Sequence, residues 1–175
     1  MNIGLSVKEL RNFENIRFFD IDGVLCTYAF GINGIGVDTK GFDYLDYLET
    51  HNIYTKDKAS FFMKQYVQHY CDREKTFVIS RANSLKEEFY KREFIKENYG
   101  SFIKDNNIFF SDNKVDTAKS ILNFNFDGID TPHFAIDDSV DVLYKYQDAG
   151  IRAVHISSLF ILAEHDYSIP TETYI

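Results

Sequence analysis

The chain predicts an α/β domain in which a parallel five-stranded sheet carries helices on its faces. Three observations lead there. Short apolar runs alternate with longer helix-like segments, the pattern of a sheet covered on both sides. From Thr76 onward the order is strand, helix, strand, helix, as right-handed crossovers require. Finally, 175 residues with a hydrophobic fraction of 45% suffice for one domain with a real core and leave little for a second.

The elements follow in order. Ile16 to Ile21 (IRFFDI) reads as a buried first strand. Residues 25–74 break the pattern. They open with a glycine-punctuated stretch, Phe30 to Val37 (FGINGIGV), and continue with helical candidates at Gly41–Thr50 and Lys58–Cys71. This segment reads as a flap plus a small helical insert within a single domain spanning 1–175. Thr76 to Ser80 (TFVIS) is the second strand. Ser84 and Glu87 then form a capping box that opens a helix over Leu85–Tyr99, with Gly100 placed to end it. Along that helix Glu87 with Lys91, and Glu88 with Arg92, make same-face charge pairs.

Ile108 to Phe110 is a short third strand. The helix from Lys114 to Phe124 puts Val115, Ala118 and Leu122 on one stripe. His133 to Ile136 (HFAI) is the fourth strand. A helix from Ser139 to Ala149, with Val140, Leu143 and Tyr144 apolar and Gly150 as its stop, leads to a fifth strand, Ile151 to Ile156 (IRAVHI). Residues 157–175 show no clear pattern, and no internal repeat or low-complexity segment is present.

Composition narrows the function. A formal net charge of −8 argues against nucleic acid, whose phosphate backbone needs a concentrated basic surface. An acidic protein still acts on phosphate esters where a metal and a few local cations offset its carboxylates. Cys26 and Cys71 are too few for a disulfide framework or a zinc site. The opening MNIGLSVKELRNF carries charges where a signal peptide needs an apolar run, and no apolar stretch is long enough to cross a bilayer. The expected location is cytoplasmic, with no membrane partner.

Four pieces of the sequence carry chemistry. Phe19-Asp20-Ile21-Asp22-Gly23-Val24-Leu25 sets two carboxylates where the first strand ends, and in open α/β sheets ligands bind outside the carboxyl ends of strands. Two acids this close repel unless a cation sits between them or one is protonated. An Asp-Gly surface turn is the plain alternative, yet a turn does not require Asp20 to follow apolar strand residues. Ser80 ends the second strand, followed by Arg81 and Asn83; its hydroxyl suits a phosphoryl oxygen, although Ser before a helix is commonly a cap. Lys114 precedes the next helix, where an ammonium neutralises charge developing on a phosphoryl group; Lys119 competes for this role, and a solvated lysine is the ordinary case. Ile136-Asp137-Asp138-Ser139 brings a second acidic pair to a strand end, where Asp also serves as a helix cap.

Jointly, this order resembles the haloacid-dehalogenase superfamily, in its phosphatase branch, from about Ile16 to Ile156. Asp20-Ile21-Asp22-Gly23-Val24-Leu25 is similar to its first motif, Ser80 to its second, Lys114 to its third and Asp137-Asp138 to its fourth. The resemblance implies a Rossmann-like core and a magnesium-dependent phosphomonoesterase acting through an aspartyl-phosphate. Asp20 would be the nucleophile and Asp22 the general acid and base. The metal would take Asp20, the backbone carbonyl of Asp22, and Asp138, with Asp137 behind them or sharing the role. Ser80 and Lys114 would hold the phosphoryl group, and Arg81 a second anionic group, although an exposed Arg is the commoner case. Asp22 favours phosphatase over carbon–halogen chemistry within that family. The implied partner is a small phosphorylated metabolite, a nucleotide or a sugar phosphate.

Other signals are weaker. Gly31, Gly34 and Gly36 miss the dinucleotide spacing. Cys26 lacks an activating neighbour, and the five His show no metal spacing. Tyr44, Tyr47, Tyr66 and Tyr70 suit an amphipathic helix packed on the core. Two rival readings remain. One is a phospho-receiver domain, with Asp112 after the third strand as its phosphorylation site. The other is an inactive, binding-only relative of the phosphatases.

Overall fold

The computed structural model describes residues 6–27, 51–127 and 132–165. Within them lie β1 (Ile16–Phe19), β2 (Thr76–Ser80), β3 (Ile108–Phe110), β4 (His133–Asp137) and β5 (Arg152–His155). The strands pair in the order β3-β2-β1-β4-β5, every pair parallel. The helices are α1 (Val7–Leu10), α2 (Phe61–Tyr70), α3 (Leu85–Tyr99), α4 (Lys114–Phe126), α5 (Val140–Asp148) and α6 (Ile156–His165). This is an α/β protein with a Rossmann-like parallel sheet. No helix of the described residues is long and apolar enough to cross a membrane.

The predicted strands are all present, with β1 and β5 shorter than their apolar runs. The Phe30–Val37 flap, the helical candidate at Gly41–Thr50 and Tyr44 and Tyr47 lie outside the described residues. The second insert helix is α2, which starts later than expected because Ser60 caps it by accepting from the Met63 N–H at 3.2 Å.

Two apolar clusters flank the sheet. Phe19, Ile21, Leu25, Phe62, Tyr66, Phe94 and Tyr99 belong to one, beneath α2 and α3. Phe18, Phe77, Ile79, Ala118, Ile121 and Tyr146 belong to the other, beneath α4 and α5. Phe18 and Phe19 thus diverge to opposite faces, as successive strand residues must. Arg17 in β1 is fully buried, which the apolar run conceals. Its guanidinium donates to the carbonyls of Asn15, Leu10 and Asn12 at 3.0, 3.1 and 2.8 Å, tying α1 to the sheet.

Three local expectations are corrected. Ser84 caps α3, but Glu87 bonds the Asn83 N–H at 2.8 Å instead of closing a box with Ser84. On α5 the buried residues are Leu143 and Tyr146, while Val140 and Tyr144 stand exposed, since the helix is turned one position further toward the sheet. Ile156, expected to end the fifth strand, and residues 157–165, which showed no pattern, form α6, with Leu159 buried in the larger core.

Candidate active site

β1 is central, and its neighbours β2 and β4 diverge in sequence on either side, so the carboxyl ends of these strands open a crevice at the switch point. The register pairs Phe19 with Ile136, and the Asp20 N–H donates to the Ile136 carbonyl at 3.0 Å. Asp20 and Asp137 therefore leave adjacent strands side by side. Oxygen atoms of Asp20, Asp137 and Asp138 all lie within 4.8 Å of one another. The two acidic motifs, more than a hundred residues apart in sequence, meet.

Gly23 permits this approach. Its φ is +69°, and a Cβ there would lie 2.1 Å from Asp138 Oδ2. The loop after β1 is held against the core where Cys26 N–H donates to the Ile21 carbonyl at 2.8 Å and the Tyr99 hydroxyl to the Leu25 carbonyl at 2.7 Å.

Lys114 bridges the pair, with Nζ 2.8 Å from both Asp20 Oδ2 and Asp137 Oδ2. A cation in the first turn of α4 opposes the helix dipole. Burial also works against its charge, but Asp20 and Asp137 outweigh both and hold its ionisation above the ordinary lysine range. Lys119, in contrast, is exposed and has no part in the cluster. Burial pushes the Asp20 carboxyl up to about 7; Lys114 pulls against this, while Asp137 and Asp22 add to it. Asp138 is likewise raised, by burial first and then by Asp137. Asp20 Oδ1 is buried and, among the described residues, meets no hydrogen-bond donor. Asp137 Oδ1 accepts from the Ser139 N–H at 3.0 Å, so both its oxygens are engaged.

Asp22 turns a different way. Its side chain is outside the three-carboxylate cluster and is partly open to solvent. Oδ2 accepts from Lys91 Nζ at 2.6 Å and from Ser80 Oγ at 3.4 Å, and Oδ1 lies 3.0 Å from the Tyr54 hydroxyl. Lys91 is enclosed, its side chain 2% accessible, and its remaining partners are Glu87 Oε1 at 2.9 Å, Ser80 Oγ at 3.5 Å and the Arg81 carbonyl. The expected surface pair of Glu87 and Lys91 is thus a buried one, because Tyr54 and the β1 loop cover that face of α3. Sequence reasoning missed Lys91 and Tyr54 as site residues; the only signal was the four-residue spacing of Glu87 and Lys91, which exposed helices share.

Arg81 points away from the carboxylates and pairs with Asp112 at 2.9 Å, both side chains exposed. Asp112 is not a member of the acidic cluster. Cys26 is buried, and burial drives its thiol far above the ordinary range, consistent with a packing role. Comparison with models of known protein families finds no match, and neither does comparison with curated proteins.

Proposed function

We propose that this protein is a magnesium-dependent phosphohydrolase of the haloacid-dehalogenase type that cleaves a small phosphate monoester through Asp20. The observation that carries the reading is the meeting of Asp20, Asp137 and Asp138 around Lys114 at the switch point of a parallel sheet.

The residues fit a hard divalent cation. Their donors are carboxylate oxygens, the chemistry such ions select. The orphaned Asp20 Oδ1 lacks a partner that a cation would supply, and Gly23 leaves Asp138 room beside it. Asp20 and Asp138 would be the ligands, with the Asp22 backbone carbonyl; Asp137, engaged by Lys114 and Ser139, would orient the others. When bound, magnesium supplies neutralisation for phosphate oxygens that approach a net-acidic site.

The chain's own residues do the rest. An Asp20 oxygen attacks phosphorus, the ester P–O bond breaks, and the departing oxygen takes a proton from Asp22. Water then gives a proton to Asp22 as it attacks the aspartyl-phosphate, releasing phosphate and the Asp20 carboxylate. Lys114 offsets charge on the phosphoryl oxygens. Ser80 Oγ is fully buried between Asp22 and Lys91, so its hydroxyl would bond one of those oxygens only on releasing Asp22. The Tyr54 hydroxyl lies 3.0 Å from both Asp22 Oδ1 and Glu87 Oε1, so its one proton serves either, and giving it to Glu87 withdraws that donor from Asp22.

The test is hydrolysis of p-nitrophenyl phosphate with and without magnesium, in wild type and Asp20→Asn. Metal-dependent turnover abolished by the substitution is expected. Activity surviving in Asp20→Asn defeats the nucleophile assignment. A stable phosphoprotein without turnover favours the receiver reading instead.

A further inference from the structure

We propose that Lys91, braced by Glu87 and seconded by Tyr54, is a positioning residue that aims the Asp22 carboxyl at the leaving-group oxygen. This rests on the phosphohydrolase reading and assigns a role to a buried ion pair that the reading does not itself require. The argument begins with donors. Lys91 has three N–H bonds to give; Asp22 Oδ2, Glu87 Oε1 and the Arg81 carbonyl take the short ones, and Ser80 Oγ is a fourth acceptor at 3.5 Å. Its ammonium also lies 5.3 Å from the centre of the Tyr54 ring. With its side chain 2% accessible, no face is left for a substrate phosphate, so Lys91 acts through Asp22 and not on substrate.

Glu87 is fixed in turn. Its second oxygen accepts from the Asn83 N–H at 2.8 Å and from Asn83 Nδ2 at 3.0 Å, at the start of α3. Its first oxygen takes Lys91 and faces the Tyr54 hydroxyl at 3.0 Å. Asp22 sits on a loop, and a loop carboxylate in water samples several rotamers. Here one oxygen is pinned by Lys91 and the other by Tyr54, which confines the carboxyl plane. The neighbouring Asp20 is held by a different cation, Lys114. Buried charges are costly to keep unless geometry repays them, and holding a proton-transfer group in place is such a use.

The experiment compares two monoesters in single-turnover reactions. Release of p-nitrophenolate, a good leaving group, depends little on an acid; release of ethanol from ethyl phosphate depends on it strongly. Two variants are used, because Lys91→Met alone would strand a buried Glu87. One is the double variant Glu87→Gln with Lys91→Met, which removes both buried charges; the other is Tyr54→Phe, which removes a single oxygen. The double variant is expected to slow ethyl phosphate cleavage at least ~30-fold more than p-nitrophenyl phosphate cleavage, somewhat under the roughly 10²- to 10⁴-fold span of general acid–base catalysis because the acid is misaligned and not removed. Tyr54→Phe shifts the same ratio in the same direction, by about threefold to tenfold, as one of two tethers is lost. Equal losses on both esters, or no loss on either, overturn the positioning role while leaving the wild-type enzyme a phosphatase. A wild type inactive on both esters with magnesium overturns the underlying reading, and the positioning role with it.

Discussion

Replacing Asp20 with Asn keeps the shape of the side chain and removes its charge, so it isolates what the buried carboxylate costs the fold. The Asp20 carboxyl titrates at about 7 in the folded protein against an ordinary 3.8, chiefly because it is buried. Well below pH 3.8 the group is protonated in both folded and unfolded chains and costs nothing. Above pH 7 it is ionised in both, and the folded state bears the burial. The stability it allows at low pH is therefore lost as pH rises through the folded value. At about 1.4 kcal/mol for each pH unit between the two titrations, the full loss is about 4 kcal/mol, of which about 2 to 3 falls between pH 5 and pH 8.

The assay is urea unfolding of wild type and Asp20→Asn at pH 5 and pH 8 in the presence of a chelator. With a urea slope of about 2 kcal/mol per molar for a domain of this size, the difference between the two proteins should shift by about 1 M in midpoint across that range, in favour of Asp20→Asn at the higher pH. Magnesium added at pH 8 should stabilise the wild type more than Asp20→Asn, since the substitution replaces one of two carboxylate ligands with a neutral amide. Wild-type and variant curves that run parallel from pH 5 to pH 8 would refute the claim that burial costs the Asp20 charge more than Lys114 returns.

Further substitutions test the surroundings. Gly23→Ala puts a methyl 2.1 Å from Asp138 Oδ2 on a backbone with φ +69°; a loss of about 1–2 kcal/mol from the backbone alone, read by thermal unfolding, and loss of turnover are expected. Lys114→Met should lower kcat for p-nitrophenyl phosphate by about 10² or more, whereas Lys119→Met should leave it within about twofold, because only Lys114 contacts Asp20 and Asp137. Equal effects of the two lysine substitutions on kcat would reverse that assignment.

The strands and the two acidic motifs were legible because their signal is local. An apolar run followed by Asp reads the same whether or not its neighbours are known, and a parallel sheet carries every such strand end to one edge. The convergence of Asp20 with Asp137 follows from that geometry. What escaped was set by tertiary burial. Arg17 lies within an apolar run, and its burial is possible because its charge is met by the carbonyls of Leu10, Asn12 and Asn15, between α1 and β1. Glu87 and Lys91 carry the spacing of any exposed helical ion pair, and only the position of Tyr54, from another segment, makes them interior. The turn of α5 toward the sheet is likewise fixed by what Tyr146 meets, and no period in nine residues distinguishes it from a helix resting on Tyr144.

The same contrast explains how two carboxylates two residues apart can do different work. Asp20 and Asp22 share a loop and a charge, so their spacing shows only a carboxylate pair, and the family resemblance alone separates their roles. In the fold they face different cations. Asp20 enters a dry corner with Asp137, Asp138 and Lys114 and keeps one oxygen without a donor. Asp22 keeps a partly open face, with Lys91 and Tyr54 behind it. A nucleophile needs a lone pair held close to the electrophile, and a proton carrier needs access to the leaving group and to water. Under the proposed phosphohydrolase reading, the division of Lys114 and Lys91 between them would supply those two environments from one strand end, as paired carboxylates with distinct tasks require.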